Sequence, residues 1–453
     1  MVVTLIVAVV LVAMGSVPGV ASTSVPGSQL WVQRYNGSAR TDYGSALAVS
    51  PDGSQVYVTG QSGDRHADYA TLAYDAATGA KIWSGRYDGP ASGHDAAHDV
   101  EVSPDGSTVF VTGQSDGSDY ESDFATIAYA ASTGVTLWVR RNTGGLAYAL
   151  EVSPDGSEVF VTGSRRGATS NHNYVTVAYD ASVGTKLWAS RYNGPGNSFD
   201  FPYDLGVSPD GSQVFVTGGS IGSRTNYDYL TIAYDASSGG SLWERRYNRK
   251  GHIIDAAYAL AVGPHGSKVY VTGQSAGSES SYPVTVAYAA STGAELWVKR
   301  YSDGSASQFD SGNAIGVSPD GSNVFVTGEG GAHHTNYATI AFDAVTGAKV
   351  WATHYTGTSD GSDAASALGV SPDGSQVFVT GESDGSTSYP DYATVAYGAS
   401  TGAKLWASRY NGDGNFLDVA ADLGVSPDGS RVFVTGFSAG STIDYATVAH
   451  RAA

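Results

Sequence analysis

The chain contains no cysteine. That excludes a disulfide scaffold, a thiolate-ligated zinc or iron–sulfur centre, a thiol nucleophile and a lipid-bearing cysteine. Positive charge is also scarce: 24 Lys and Arg stand against 43 Asp and Glu, a net charge of −19. So acidic a chain has little with which to neutralise a phosphate backbone, and nucleic acid is not an expected partner. No helix-period stretch of useful length follows the first residues, and no G-x-S-x-G elbow, HExxH or P-loop occurs. With 41% hydrophobic residues, the chain still has the means to bury a core.

No Lys or Arg precedes Arg34. Residues 2–14, VVTLIVAVVLVAM, form an apolar run, and GSVPGVASTS follows with Pro18 and small residues around Ala21 and Ser22. This reads as the h-region and cleavage site of a signal peptide over residues 1–22, lacking the basic n-region. As a membrane anchor the run is short, since a bilayer span needs roughly 20 apolar residues. The expectation is export, to the medium or the cell envelope, with no stable membrane span after cleavage.

What is abundant is repetition. The tetrapeptide SPDG or a close variant recurs with its proline at Pro51, Pro104, Pro154, Pro209, Pro264, Pro319, Pro372 and Pro427, 50 to 55 residues apart. All eight tryptophans keep the same period: Trp31, Trp83, Trp138, Trp188, Trp243, Trp297, Trp351 and Trp406. Within residues 204–248, DLGVS, QVFVTGG, YDYLTIAYDA and SLWERRY are strand-like runs of Val, Tyr, Phe, Thr and Ile, separated by Asp, Gly, Ser and Pro turns. Eight units of four short strands predict an all-β fold, a single eight-bladed β-propeller over residues 28–453. LWVQRY at 30–35 has no preceding partner strands, and the last unit stops at DYATVAHRAA, before a Trp strand of its own. The N-terminal strand is therefore expected to complete the last blade and close the ring. SPDG itself, repeated at tight hairpins, is a turn rather than a catalytic Ser/Asp pair.

Residues 73–83, AYDAATGAKIW, fit A-x-D-x-x-T-G-x-x-x-W, and residues 178–188 and 233–243 are near matches. This resembles the tryptophan-docking motif of pyrroloquinoline quinone (PQQ)-like propeller repeats, in which an indole packs between neighbouring blades. SPDGSQVFVTG at 371–381 also resembles YVTN-type bacterial surface propeller repeats. The resemblance covers nearly all of residues 28–453 and implies fold and blade construction; one propeller fold hosts unrelated activities. Quinoprotein dehydrogenases of this kind bind PQQ over the central axis with Ca²⁺, an acidic base and often a vicinal cysteine pair. Here the cysteine pair is impossible, no calcium-ligand motif maps onto the chain, and no long insertion supplies a lid. The tryptophans read as buried anchors between blades.

The SPDG and D-A-x-T-G turns barely vary, whereas the other two connections range from GQSGDRHADY (60–69) to GSRRGATSNHNY (163–174) and from NGPGNSFDFPYD (193–204) to NTGGLAY (142–148). Antiparallel alternation puts the uniform turns on one face and the variable loops on the other, the expected functional face. Seven histidines fall in those loops: His66, His94, His98, His172, His252, His333 and His334. They lack the partner spacing of a metal site.

Asp42, Asp95, Asp200, Asp255, Asp310, Asp363 and Asp418 each lie nine residues before the proline of their unit, with Gly145 in the third. They are candidates to ring the channel mouth and hold Ca²⁺ or draw in cations. Three residues after each Trp stands Arg34, Arg86, Arg141, Arg191, Arg246, Arg300 or Arg409, or His354 in the remaining unit. Asp–Arg pairing or an Asp-capped turn explains both series without a ligand. Glu101 and Glu151 break the repeat on inner strands, where other units carry Ala48, Gly206, Ala261, Gly316, Gly369 and Gly424. They are candidates for a proton-transfer pair or a cation site, or are surface glutamates. Tyr43, Tyr120, Phe199, Phe201, Tyr203, Phe309 and Phe416 in the variable loops either stack on a ligand or pin their own loops.

Three functions are consistent with this pattern. One is a secreted or envelope-associated monomeric module binding a protein or polysaccharide on the variable face. The second is a quinoprotein-like oxidoreductase with PQQ and Ca²⁺ near the axis, and the third a purely structural surface repeat.

Overall fold

The computed structural model of the chain describes residues 25–453, apart from loop residues 38–39, 118–121, 168–170, 224–225, 250–253, 278–280, 303–310, 332–334, 359–360 and 386–388. The expected signal segment therefore lies outside the described residues. Thirty-two strands form eight four-stranded antiparallel sheets. The innermost strands are Asp42–Val49, Asp95–Val102, Gly145–Val152, Asp200–Val207, Ile254–Val262, Ser311–Val317, Asp363–Val370 and Asp418–Val425, and they open blades 1 to 8 in that order. Among the described residues no helix is long and apolar enough to cross a membrane.

Each blade is covered on both faces by its neighbours, so its middle strands are buried on both faces, polar Thr59 and Thr71 included. QVYVTGQS and DYATLAYD are buried along most of their length, while the outer strand KIWSGRY is largely exposed. The core is accordingly divided into eight clusters, each straddling two adjacent blades.

The uniform turns build these contacts. In the SPDG hairpin of blade 1, Asp52 accepts the Ser50 hydroxyl at 2.6 Å and the Ser54 N–H at 2.9 Å, and Gly53 takes φ 70°. Those hydrogen bonds hold its pKa down at about 2. In the D-A-x-T-G turn, Asp75 accepts the Thr78 N–H at 2.8 Å and the Ala76 carbonyl accepts Trp31 Nε1–H from blade 8 at 3.1 Å. Gly79 lies against the same indole, where a Cβ would sit 2.7 Å from the ring. Trp31 is flanked by Phe433 of its own blade and Tyr74 of the next, at 5.8 and 6.2 Å between centroids. The other seven tryptophans donate to the equivalent Ala carbonyl of the following blade, at 2.6 to 3.4 Å.

The ring closes as the sequence predicts. Gln29–Tyr35 pairs antiparallel with Ile443–Arg451 as the outer strand of blade 8. Tyr445 Oη donates to the Ala70 carbonyl of blade 1 at 3.1 Å, repeating the Tyr69-to-Ala125 bond between blades 1 and 2. Every inner strand carries a β-bulge at its middle, as between Ala97 and Asp99. The bulge shifts the side-chain alternation and decides which residues meet the channel.

Candidate functional site: the channel and its variable-loop mouth

The periodic aspartates do not line the mouth. Asp42, Asp95, Asp200, Asp255, Asp363 and Asp418 are buried, and each accepts a loop N–H from Gly37, Gly89, Gly194, Arg249, Gly357 or Gly412 at 2.8 to 3.0 Å. They are anchors beneath the variable loops, the Asp-capped alternative, because a carboxylate at the first residue of the strand folds back onto the loop that leads into it. Burial raises the pKa of Asp42, Asp95, Asp200, Asp363 and Asp418. Asp310 lies outside the described residues.

The arginine series pairs with carboxylates, but with a different set. Arg34, Arg86, Arg141, Arg246 and Arg409 bind Asp444, Asp68, Asp123, Asp228 and Asp391 of the adjacent third strand, at 2.7 to 3.0 Å. Arg300 instead lies 4.2 Å from the Tyr282 ring centroid. Asp68, Asp88 and Asp95 bring carboxylate oxygens within 4.8 Å of one another, a grouping that sequence reasoning did not single out. Asp68 is engaged by Arg86 and Asp95 by Gly89, so the grouping is largely satisfied from within. His98 Nδ1 lies 2.7 Å from the Ala147 carbonyl and His94 Nδ1 is 2.9 Å from Gln114 Nε2. His252, His333 and His334, like Tyr120 and Phe309, lie outside the described residues.

Glu101 and Glu151 sit near the uniform-turn ends of adjacent inner strands and face a channel that carries three more carboxylates, Asp99, Asp204 and Asp422. Each of these three accepts the following N–H and a leucine N–H of the next blade: Asp99 from Leu150 at 2.7 Å, Asp204 from Leu260 at 2.7 Å, and Asp422 from Leu47 at 2.9 Å. They strap blade 2 to 3, 4 to 5 and 8 to 1. In blade 6 Asn313 replaces the strap, its Nδ2–H bonding the Ala365 carbonyl at 2.9 Å. The five acids act on one another across the channel, Asp422 on Glu101 and Asp99 on both Asp204 and Asp422.

No Lys or Arg occurs on any of the eight inner strands. Burial lifts Asp99 to about 6 and Asp204 and Asp422 to about 7. Burial, with Asp99 and Asp204 beside it, lifts Glu151 to about 8. Burial and then Glu151 and Asp99 push Glu101 well above the carboxylate range. The channel is thus an array of carboxylates able to share protons with one another or with a ligand.

At the bulge, above these acids, blades 2 to 5 carry rings. His98 stacks on Tyr148 at 6.2 Å, Tyr148 meets Tyr203 at 6.1 Å, and Tyr203 meets Tyr258 edge-on at 5.7 Å. Phe201, His172 and Phe199 extend the patch outward, with centroids 5.5 and 6.0 Å apart. On the far side of the mouth Tyr389 and Phe416 meet at 5.9 Å.

These features define an eight-bladed propeller with an acidic axial channel and an aromatic-rimmed mouth. Residues 230–450 match the PQQ-like repeat family described as outer membrane protein assembly factor BamB. That match spans just under half of the chain, and with the blade architecture it makes the chain similar to PQQ-like β-propellers. No curated protein matches the sequence. Among solved structures, Sqt1 of Chaetomium thermophilum, bound to the N-terminus of a ribosomal protein, is similar at 12% identity and TM-score 0.61, over 94% of this chain and all of that one (100%). Quinohemoprotein alcohol dehydrogenase from Comamonas testosteroni is similar at 15% identity and TM-score 0.60, over 93% of this chain and 76% of that one. Hydrazine synthase of Kuenenia stuttgartiensis is similar at 16% identity and TM-score 0.52, over 76% and 94%. At such identities the likeness is one of fold.

Proposed function

We propose that the protein is a secreted or envelope-associated binding module that recognises a protein or carbohydrate ligand on its variable-loop face. One observation carries this reading. The exposed aromatic side chains among the described residues, Phe199, Tyr203, Tyr389 and Phe416, at 38 to 46% exposure, all belong to that face. Among the described residues, the large apolar side chains exposed beside the uniform turns at the opposite end are aliphatic, such as Leu137 and Leu405. Exposed rings on loops held by a rigid scaffold favour recognition of a partner. The apolar run at 2–14 supports export, and the closed ring leaves a monomer self-sufficient.

Sedimentation of the intact chain with peptidoglycan sacculi, chitin or cellulose tests the reading. Retention is expected on at least one matrix and is expected to fall at least about tenfold in a Phe199→Ala/Phe416→Ala double variant, while Leu137→Ala/Leu405→Ala retains it. Equal loss in both variants contradicts a face-specific ligand.

The PQQ-like match favours a second reading, a quinoprotein-like oxidoreductase. The residues present do not suit the cofactor. PQQ is a tricarboxylate anion, whereas the channel presents five carboxylates and the inner strands carry no Lys or Arg to receive it. Calcium has oxygen donors here, but Asp99, Asp204 and Asp422 already hold backbone N–H groups.

A further inference from the structure

We infer that the channel mouth between blades 2 and 5 is a site for an aliphatic ammonium group, as carried by a lysine side chain or a free polyamine. The inference rests on the variable-loop face being a binding face and names the chemistry of its ligand.

Two independent features converge there. The first is a one-sided aromatic wall. His98, Tyr148, Tyr203 and Tyr258 hold the same strand position in four consecutive blades, each in ring contact with the next. The other four blades place Asn313, Ser366, Ala421 and Ser45 at that position, so the wall does not follow from blade construction. Ring faces attract cations and accept alkyl stems.

The second feature is an acidic side chain without a hydrogen-bond partner among the described residues. The Glu151 carboxylate accepts no hydrogen bond from a described residue, and its surroundings contribute only further acids, Asp99 and Asp204. At about 3.3 Å per residue, Glu151 lies roughly 10 Å along its strand from the wall residue Tyr148, within reach of an extended amine. An ammonium brings three N–H donors and a positive charge to that acceptor, while its stem lies on the tyrosines. A neutral sugar would cover the wall and leave Glu151 unpaired. An anion would meet five carboxylates.

The groups facing the site set the sign of the pH dependence. Asp99, Glu101, Glu151, Asp204 and Asp422 all resist ionisation through burial, and buried His98, pushed down in pKa, adds no compensating charge. An ammonium stabilises their ionised forms, so binding releases protons and tightens with rising pH.

The test is calorimetric titration of the intact chain with spermidine and, separately, with the peptide acetyl-Gly-Lys-Gly-amide, at about pH 6 and about pH 8. At least one probe is expected to saturate, with higher affinity and net proton release at the higher pH. Tyr203→Ala and Glu151→Gln, each checked for unchanged circular dichroism, are expected to weaken it at least about tenfold. Saturation by the peptide alone assigns the site to a lysine side chain, and saturation by spermidine alone to a free polyamine. Absence of saturation, or equal affinity in both variants, overturns the inference, as does full competition by Ca²⁺ with no effect of Tyr203→Ala. If neither probe binds while sedimentation through Phe199 and Phe416 persists, the ammonium site falls and the binding face stands.

Discussion

Three carboxylates along one inner strand of blade 2 have three different fates. Asp95 caps the incoming loop, Asp99 straps the next blade, and Glu101 shares an unneutralised channel with Glu151. Opposite pH signs follow for the molecule. The SPDG aspartates Asp52, Asp155, Asp210, Asp320 and Asp428 titrate at about 2 when folded. Their folded pKa lies below the unfolded one, so their stabilisation is present above about pH 4 and is lost as pH falls toward about 2. They are exposed, which keeps each contribution small. The channel acids have raised pKa values, so the native state holds more protons than the unfolded chain, and stability falls as pH rises from about 4 toward about 8. Melting temperature is therefore predicted to peak near about pH 4. Glu151→Gln is predicted to raise stability at about pH 8 by about 1–3 kcal/mol and to change little at about pH 4, read by urea unfolding at both pH values. An unchanged pH profile contradicts the placement of Glu151 against the other acids.

Glu101 and Glu151 were legible in the sequence because they interrupt a column of Ala and Gly. The straps and the aromatic wall were not. The bulge adds a residue in mid-strand, so period-2 counting assigns His98, Asp99 and their counterparts to the wrong faces.

At the scale of the element, the repeat carried nearly all the information. Strands, turns and the tryptophan column follow from Val, Tyr and Thr runs punctuated by Asp-Gly turns, since both patterns are local. The partner of each tryptophan is not local: it is an alanine carbonyl 43 to 48 residues onward, followed three residues later by a left-handed glycine except at Trp406, which meets Gly27. Trp83→Phe, which keeps the ring and loses the bond to Ala131, is predicted to cost about 1 kcal/mol, and Trp83→Ala about 3–5 kcal/mol, in denaturant midpoints. The loop aspartates belong to the same scale. Asp418→Ala leaves the Gly412 N–H beneath its loop without an acceptor and is predicted to cost about 1–3 kcal/mol. A neutral outcome would mean that the loop is held by other contacts. For the Asp and Arg series the sequence displayed regularity but not pairing, because five of the arginines pair with a third-strand aspartate rather than with the more conspicuous one nine residues before the proline.

At the scale of the whole molecule, one strand from the start of the described chain completes a sheet made by its end, and every blade is then sandwiched. Removal of residues 28–36 takes away Trp31 and the pairing with Ile443–Arg451, leaving blade 8 with three strands. That truncation is predicted to lower the melting temperature of the entire propeller in one transition, and melting at the full-length temperature contradicts closure as a source of stability. The closed ring also gathers eight inner strands that individually carry few acids into one negative channel beneath an aromatic rim. The function proposed for that mouth is recognition rather than quinone chemistry. It is tested most directly by titrating the intact chain with PQQ, with and without Ca²⁺, while following tryptophan fluorescence and melting temperature. No saturable change in either signal is expected; calcium-dependent stabilisation at micromolar quinone would instead establish a quinone site.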